Sequence, residues 1–184
     1  MTADDHPAVH ALHVSDEHTF SKRAVDSAEL LAGIGVIGDA HAGPTVKHRS
    51  RVRADPTQPN LRQVHLIPAE LFDELAAHGY DVGPGDLGEN ITTKGIDLHQ
   101  LSTGAIVRVG SEVILALTGL RNPCGQIENF MPGLLGRVLY RDDHLGTVRR
   151  AGVMAVVING GSVRVGDPIA VCSPPGPAIA LRRV

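Results

Sequence analysis

Aromatic residues are nearly missing from this chain. Tryptophan is absent, and two tyrosines and three phenylalanines make up 3% of 184 residues. A core with so few rings has to be filled by Val, Ile, Leu and Ala. A single-stranded nucleic-acid platform stacks bases on interleaved aromatics, so no nucleic-acid partner is expected. Cysteine is scarce as well, and Cys124 and Cys172 alone cannot build a disulfide framework. No apolar run approaches the roughly 20 residues of a membrane helix, so no membrane partner is expected. The opening MTADDHPAVHAL has no basic stretch followed by an apolar one, and a cytoplasmic location with reduced thiols is the expectation. The formal net charge is -3, so bulk electrostatics do not favour a polyanion and any anion site must be local.

Glycine (21) and proline (12) are plentiful, which points to many tight turns. The length suits one domain over 1–184, with a core near 8–172 and peripheral tails. Alternating segments predict strands at 9–14, 62–67, 105–110, 112–120 and 152–159, with 110–111 joining a hairpin. The run 162–173 predicts a last strand kinked at Gly166–Asp167. PAELFDELAAHG (68–79) predicts a helix, with Pro68 at its start and Gly79 after its end. A second helix is expected over 125–140, interrupted at 131–133. Residues 15–24 and 40–60 are expected to be irregular, and a loop as long as the latter is often functional. Strands do not alternate regularly with helices, which disfavours a doubly wound sheet. The expected fold is mainly β with short helices, built as a closed or partly closed β-barrel.

Four stretches can carry chemistry. The first is TGLRNPCGQIENF, where Cys124 follows Pro123, lies three residues after Arg121 and precedes a helical segment. A free cysteine is most often a small buried hydrophobe, and Cys172 is read that way. A thiol at a helix start beside an arginine is instead a candidate nucleophile or metal ligand. The second is GVIGDAHAG. Asp39 and His41, two apart on extended chain, face the same way and can hold a metal or pair as an oriented base. A glycine turn with satisfied side chains explains them equally well. The third is the basic stretch holding Lys47, His48, Arg49, Arg51, Arg53 and Arg62, which can grip a phosphate or form a solvated charged loop. The fourth is GPGDLGENITTKG. Gly85 and Gly88 allow close backbone approach, Asn90 and Thr92 can hydrogen-bond, and Asp86 and Glu89 are candidate acids or bases. A tight structural turn capped by Asp86 is the alternative.

In this order, GVIGDAHAG, RQVHLI, PGDLGENITTKGIDLHQLSTGAIVRVG, TGLRNPCGQI and GGSVRVGDPI resemble the MOSC domain, the module named for the C-terminus of molybdenum cofactor sulfurase. The resemblance covers roughly residues 8–172 and implies a β-barrel core. It also implies that Cys124 is the protein ligand to molybdenum in a bound molybdopterin cofactor. Arg49, Arg53, Arg62 and Arg121, helped by the loop at Gly85, Asp86, Gly88, Glu89, Asn90 and Thr92, would grip that cofactor, and Asp39 or His41 would assist proton transfer. Stand-alone members reduce N-hydroxylated compounds, so a small-molecule substrate and a separate electron-donor protein are expected. A sulfur or cofactor carrier without turnover is the alternative, and a cofactor-free interaction barrel a third. Pyridoxal phosphate is not expected, because no lysine stands in a recognisable Schiff-base setting.

Overall fold

Residues 113–120 alternate buried and half-buried along their whole length, as a strand does when one face meets a core. The computed structural model describes residues 6–47 and 49–184, and of Arg49 and Ser50 the backbone only. In chain order the first elements are β1 (Ala8–Val14), β2 (Arg23–Val25), β3 (Ser27–Leu31), β4 (Gly35–Val36) and α1 (Arg49–Ala54). Then come β5 (Val64–Pro68), α2 (Ala69–Ala77), β6 (Ile91–Lys94), β7 (Ile106–Val109) and β8 (Val113–Leu120). The rest are α3 (Gly125–Phe130), α4 (Leu134–Val138), β9 (Leu139–Asp142), β10 (Gly146–Arg149), β11 (Val153–Asn159), β12 (Gly161–Arg164) and β13 (Ile169–Cys172).

Eight strands form the main sheet in the order β13–β7–β8–β11–β5–β6–β1–β2. The hairpin expected at 110–111 is present, with Val109 opposite Val113. β5 and β6 are parallel, and α2 makes the crossover that a parallel pair requires. β5 is buried at every position because it feeds both faces: Leu66 enters one core with Leu12, Leu115 and Val153, and Ile67 enters the other. The second core gathers Leu71, Phe72 and Leu75 of α2 with Leu87, Ile127 and Leu134. Burying one such leucine stabilises by about 1.5–3 kcal/mol, so aliphatic side chains can replace the missing rings.

Mainly β structure with short helices is what the chain adopts, but the barrel is not closed. Among the described residues the sheets are open, and no continuous ladder joins the two ends of the main one. β2 pairs only with Leu12–Val14 of β1. The other half of β1 meets the chain before β13 through a single bridge, Ala8 to Pro168, and flanking bonds such as Val9 N–H to Asp167 O. Pro168 has no N–H to extend that contact into a ladder. The break there is complete: 162–173 is not one kinked strand. β12 joins β3 and β4 in a small three-stranded sheet, while β13 edges the main sheet. The segment 40–60 is also less irregular than expected, since it contains α1. The C-terminal segment does not trail off. Leu181 is buried, and the Leu120 N–H donates to Arg182 O.

Candidate functional site

An open cleft of about 690 Å³ brings together the ends of these elements, with Cys124 on its wall. Cys124 is the N-cap residue of α3, a helix of only six residues, and its carbonyl accepts from the Ile127 N–H. The thiol is half-buried, with Sγ 3.6 Å from Gln126 Oε1. Cys172 is exposed on β13 rather than buried as a small hydrophobe, and it does not line the cleft.

The cleft is cationic in a chain of net negative charge. Lys22, Lys47, Arg51, Arg53, Arg62 and Arg121 line it, and among the described residues no Asp or Glu does. Arg62 donates to the main-chain oxygen of Val184, and its Nε is buried without a partner among the described residues. Burial, followed by repulsion from Arg51, Arg121 and Arg183, pulls Arg62 down to about 10. Arg121 donates to Leu87 O at 2.9 Å and lies 5.9 Å over the Phe20 ring. Burial lowers it as well, against opposing attraction from Cys124 and Glu89. Both guanidinium groups share the cleft lining with Cys124.

Among the described residues, Lys22 is the cation of this set that pairs with a carboxylate. Its Nζ lies 2.6 Å from Asp39 Oδ2, with both side chains almost wholly buried. Asp39 also accepts from Asn90 Nδ2 at 2.9 Å, from the His41 N–H at 3.0 Å and from His41 Nδ1 at 3.3 Å. Burial by itself would push Asp39 up, but the bonds from His41 and Lys22 outweigh it and hold the carboxyl far below its usual range. An ionised carboxylate only accepts hydrogen bonds, so His41 Nδ1 must be the donor. In neutral His41 this leaves Nε2 as the basic nitrogen. Asn60 fixes the same corner: its Nδ2 donates to His41 O and Gly43 O, and its Oδ1 accepts from the Arg62 N–H.

The glycine loop folds on itself. Glu89 is fully buried, and its Oε1 accepts from the Gly85 N–H and from Thr92 Oγ1. Burial raises its pKa in spite of these bonds. Asp86 caps the turn by accepting from the Gly83 N–H. The amides of Gly88 and Asn90 are bonded to Gly85 O and His65 O. Gly85 and Gly88 both have positive φ, and a Cβ would meet Lys22 O at 2.8 Å at the first and Phe20 O at 2.4 Å at the second. The glycines thus let the 20–22 segment lie against the loop.

Of the residues singled out in the sequence, Cys124, His41, Lys47, Arg51, Arg53, Arg62, Gly88, Asn90 and Arg121 line the cleft. Asp39, Gly85, Asp86, Glu89 and Thr92 do not; Asp39 is bonded to Lys22 and Asn90, which do, and the other four bond within the glycine loop. Arg49 lies in α1 with its side chain outside the described residues, as is His48 altogether. Lys22, Phe20, Asn60 and His65 were missed. Each is a single residue with no local pattern, and only the tertiary fold brings it to the cleft.

Buried histidines make stability depend on pH. Burial and the Lys22 charge lower His13 to about 4. Burial and Arg121 lower His65 well below the usual value, and its Nε2 lies 2.8 Å from Ala151 O. A histidine with a depressed folded pKa gives stability that is complete above its unfolded pKa and lost as pH falls toward the folded value. Stability is thus expected to fall between pH 6.5 and 4. Each histidine contributes about 1.4 kcal/mol per pH unit while it titrates. Glu89, raised, acts in the opposite sense, but one carboxyl stands against three imidazoles, since burial lowers His99 as well. Urea denaturation across this range tests the slope, and His13→Gln should flatten it.

Known proteins share this fold. A model of the MOSC domain family matches residues 38–170. A protein named "Reductase" from Gibberella moniliformis is 27% identical over 169 residues, covering 89% of this chain and 27% of that protein. The chain therefore spans about a quarter of that curated relative's length. The crystal structure of the YuaD protein from Bacillus subtilis superposes with a TM-score of 0.74 at 27% identity, covering 91% of this chain and 96% of YuaD. YiiM from Escherichia coli superposes with a TM-score of 0.60 at 18% identity, covering 92% and 71% of the two chains, and shows the shared fold. Among the described residues, no helix is long and apolar enough to cross a membrane.

Proposed function

The chain belongs to the MOSC domain family, and from that premise we propose that it binds a molybdenum cofactor and reduces N-hydroxylated compounds. The observation that carries this reading is the convergence of Cys124 with Arg62 and Arg121 in a cleft that no carboxylate of the described residues lines. The donor set suits a metal that brings most of its ligands with it. Among the described residues, no three His, Cys, Asp or Glu side chains gather to hold a bare ion. One accessible cysteine beside an anion grip is what a phosphate-bearing dithiolene cofactor needs, since a soft thiolate suits molybdenum.

Cys124 would be the metal's protein ligand. Arg62, with its orphaned Nε, and Arg121 would hold the cofactor phosphate by charge-assisted hydrogen bonds. When bound, the cofactor supplies two-electron redox chemistry. Reducing R–NH–OH to R–NH2 takes two electrons and two protons, breaks the N–O bond and releases water. His41, as imidazolium, would give a proton to the departing oxygen from Nε2. Asp39 acts as a positioning residue, because its bond to Nδ1 fixes the ring and it remains ionised itself. Electrons would come from a separate donor protein.

The test is turnover of an amidoxime and of an N-hydroxylated nucleoside with a reduced viologen as electron source. The wild type should form the amidine and the amine, Cys124→Ser should form neither, and His41→Gln should lose about 10²–10⁴-fold in rate while keeping its cofactor. Cofactor retained without any turnover would overturn the reductase reading in favour of a carrier.

A further inference from the structure

The charge of the cleft exceeds what one cofactor phosphate can neutralise. With Lys22 matched by Asp39, the described lining leaves Lys47, Arg51, Arg53, Arg62 and Arg121 without a carboxylate. A phosphate monoester carries about -1.5 to -2 at neutral pH. Arg62 and Arg121, which share the cleft wall with Cys124, suffice for one such group. Lys47, Arg51 and Arg53 then remain, on the segment around α1, with Lys47 and Arg53 exposed. Burial first, and repulsion from Arg51 next, hold Arg62 below the usual arginine value. Like charges facing one small volume disfavour the empty cleft and favour any ligand that adds negative charge there.

A second feature bears on the rest of that ligand. Two of the three phenylalanines in the chain, Phe20 and Phe130, meet with ring centroids 5.2 Å apart, and Phe20 lines the cleft. The side-chain amides of Asn122, Gln126 and Asn129 line it near Cys124. With Arg121 over its ring and Phe130 beside it, Phe20 offers a flat ring an apolar edge, and amides that both donate and accept can read the edge of a base.

We propose that the cleft selects N-hydroxylated nucleotides over the corresponding nucleosides, with Lys47, Arg51 and Arg53 receiving the substrate's own phosphate. This assignment rests on the reductase reading of the same cleft and adds the class of substrate. The electron and proton balance is unchanged, because the phosphate is bound and not transferred.

The test compares N4-hydroxycytidine with its 5′-monophosphate, which differ only in the phosphate. Calorimetry on cofactor-loaded protein should give a roughly tenfold or greater affinity advantage for the monophosphate, the size of one charge-assisted contact. Added salt should shrink it. In a Lys47→Ser/Arg53→Ser double variant the advantage should collapse, read as a ratio of the two affinities in one preparation. Equal affinities, no binding of either compound, or an advantage untouched by the double variant would overturn the proposal. So would an advantage seen only in cofactor-free protein, since the cations would then serve the cofactor's phosphate. Turnover separates the two readings. Phosphate-selective binding without reduction of either compound removes the reductase and leaves the selectivity, whereas reduction of both with equal affinity does the reverse.

Discussion

Replacing Lys22 with methionine is expected to destabilise the protein by about 3–5 kcal/mol, the cost of leaving one partner of a buried ion pair behind. Methionine matches the lysine stem in length and flexibility, so packing changes little. What changes is Asp39, which loses its 2.6 Å partner while remaining almost wholly buried. The carboxylate keeps its bonds from His41 and Asn90, so it is neither free to leave nor fully compensated. Lys22→Met combined with Asp39→Asn should recover much of the loss, because neither member is then a buried charge. Urea denaturation of the two single variants and the double yields the coupling energy directly. A loss under about 1 kcal/mol for Lys22→Met would mean that the pair behaves like a solvated surface bridge.

Changing both Arg62 and Arg121 to glutamine is expected to lower retained pterin affinity by about 10²-fold or more. Each charge-assisted bond to an anion contributes about 1.5–3 kcal/mol, and every 1.4 kcal/mol is a factor of ten. Stability should not fall in parallel. Arg62 is held close to Arg51, Arg121 and Arg183, so removing its charge relieves repulsion. The bonds lost within the protein are those to the Val184 and Leu87 main-chain oxygens, which an amide can partly replace. Pterin lost at unchanged unfolding midpoint is the expected pattern, and pterin retained in full would take the anion grip away from these two arginines.

The parts of the fold visible in the sequence were those decided locally. Pro68 and Gly79 bracket the segment that forms α2, and the turn at 110–111 sets Val109 against Val113. Cys124 stands at the start of a helix because Pro123 and the following residues decide it within a few positions. Closure of the barrel was not decided locally. It depends on whether the strand ends of β1 and β13 ladder together, and Pro168 leaves one bridge there. The glycine loop left two readings open in the sequence, a ligand cradle and a structural turn capped by Asp86, for a similar reason. Its composition suits amides turned toward a ligand, yet Glu89 is buried and takes the Gly85 amide for itself. Lys22 meets Asp39 across 17 positions, and Arg121 reaches Leu87 across 34, so no spacing within a motif announces either contact.

The most direct measurement is the molybdenum and pterin content of the wild type and of Cys124→Ser, both purified from a host that makes molybdenum cofactor. The expected result is molybdenum and pterin in equal amounts per chain in the wild type, with molybdenum lost in the variant at unchanged thermal stability. Neither molybdenum nor pterin in the wild type, even after reconstitution, or molybdenum held as well by the serine variant, would contradict the assignment of Cys124 as the metal's ligand.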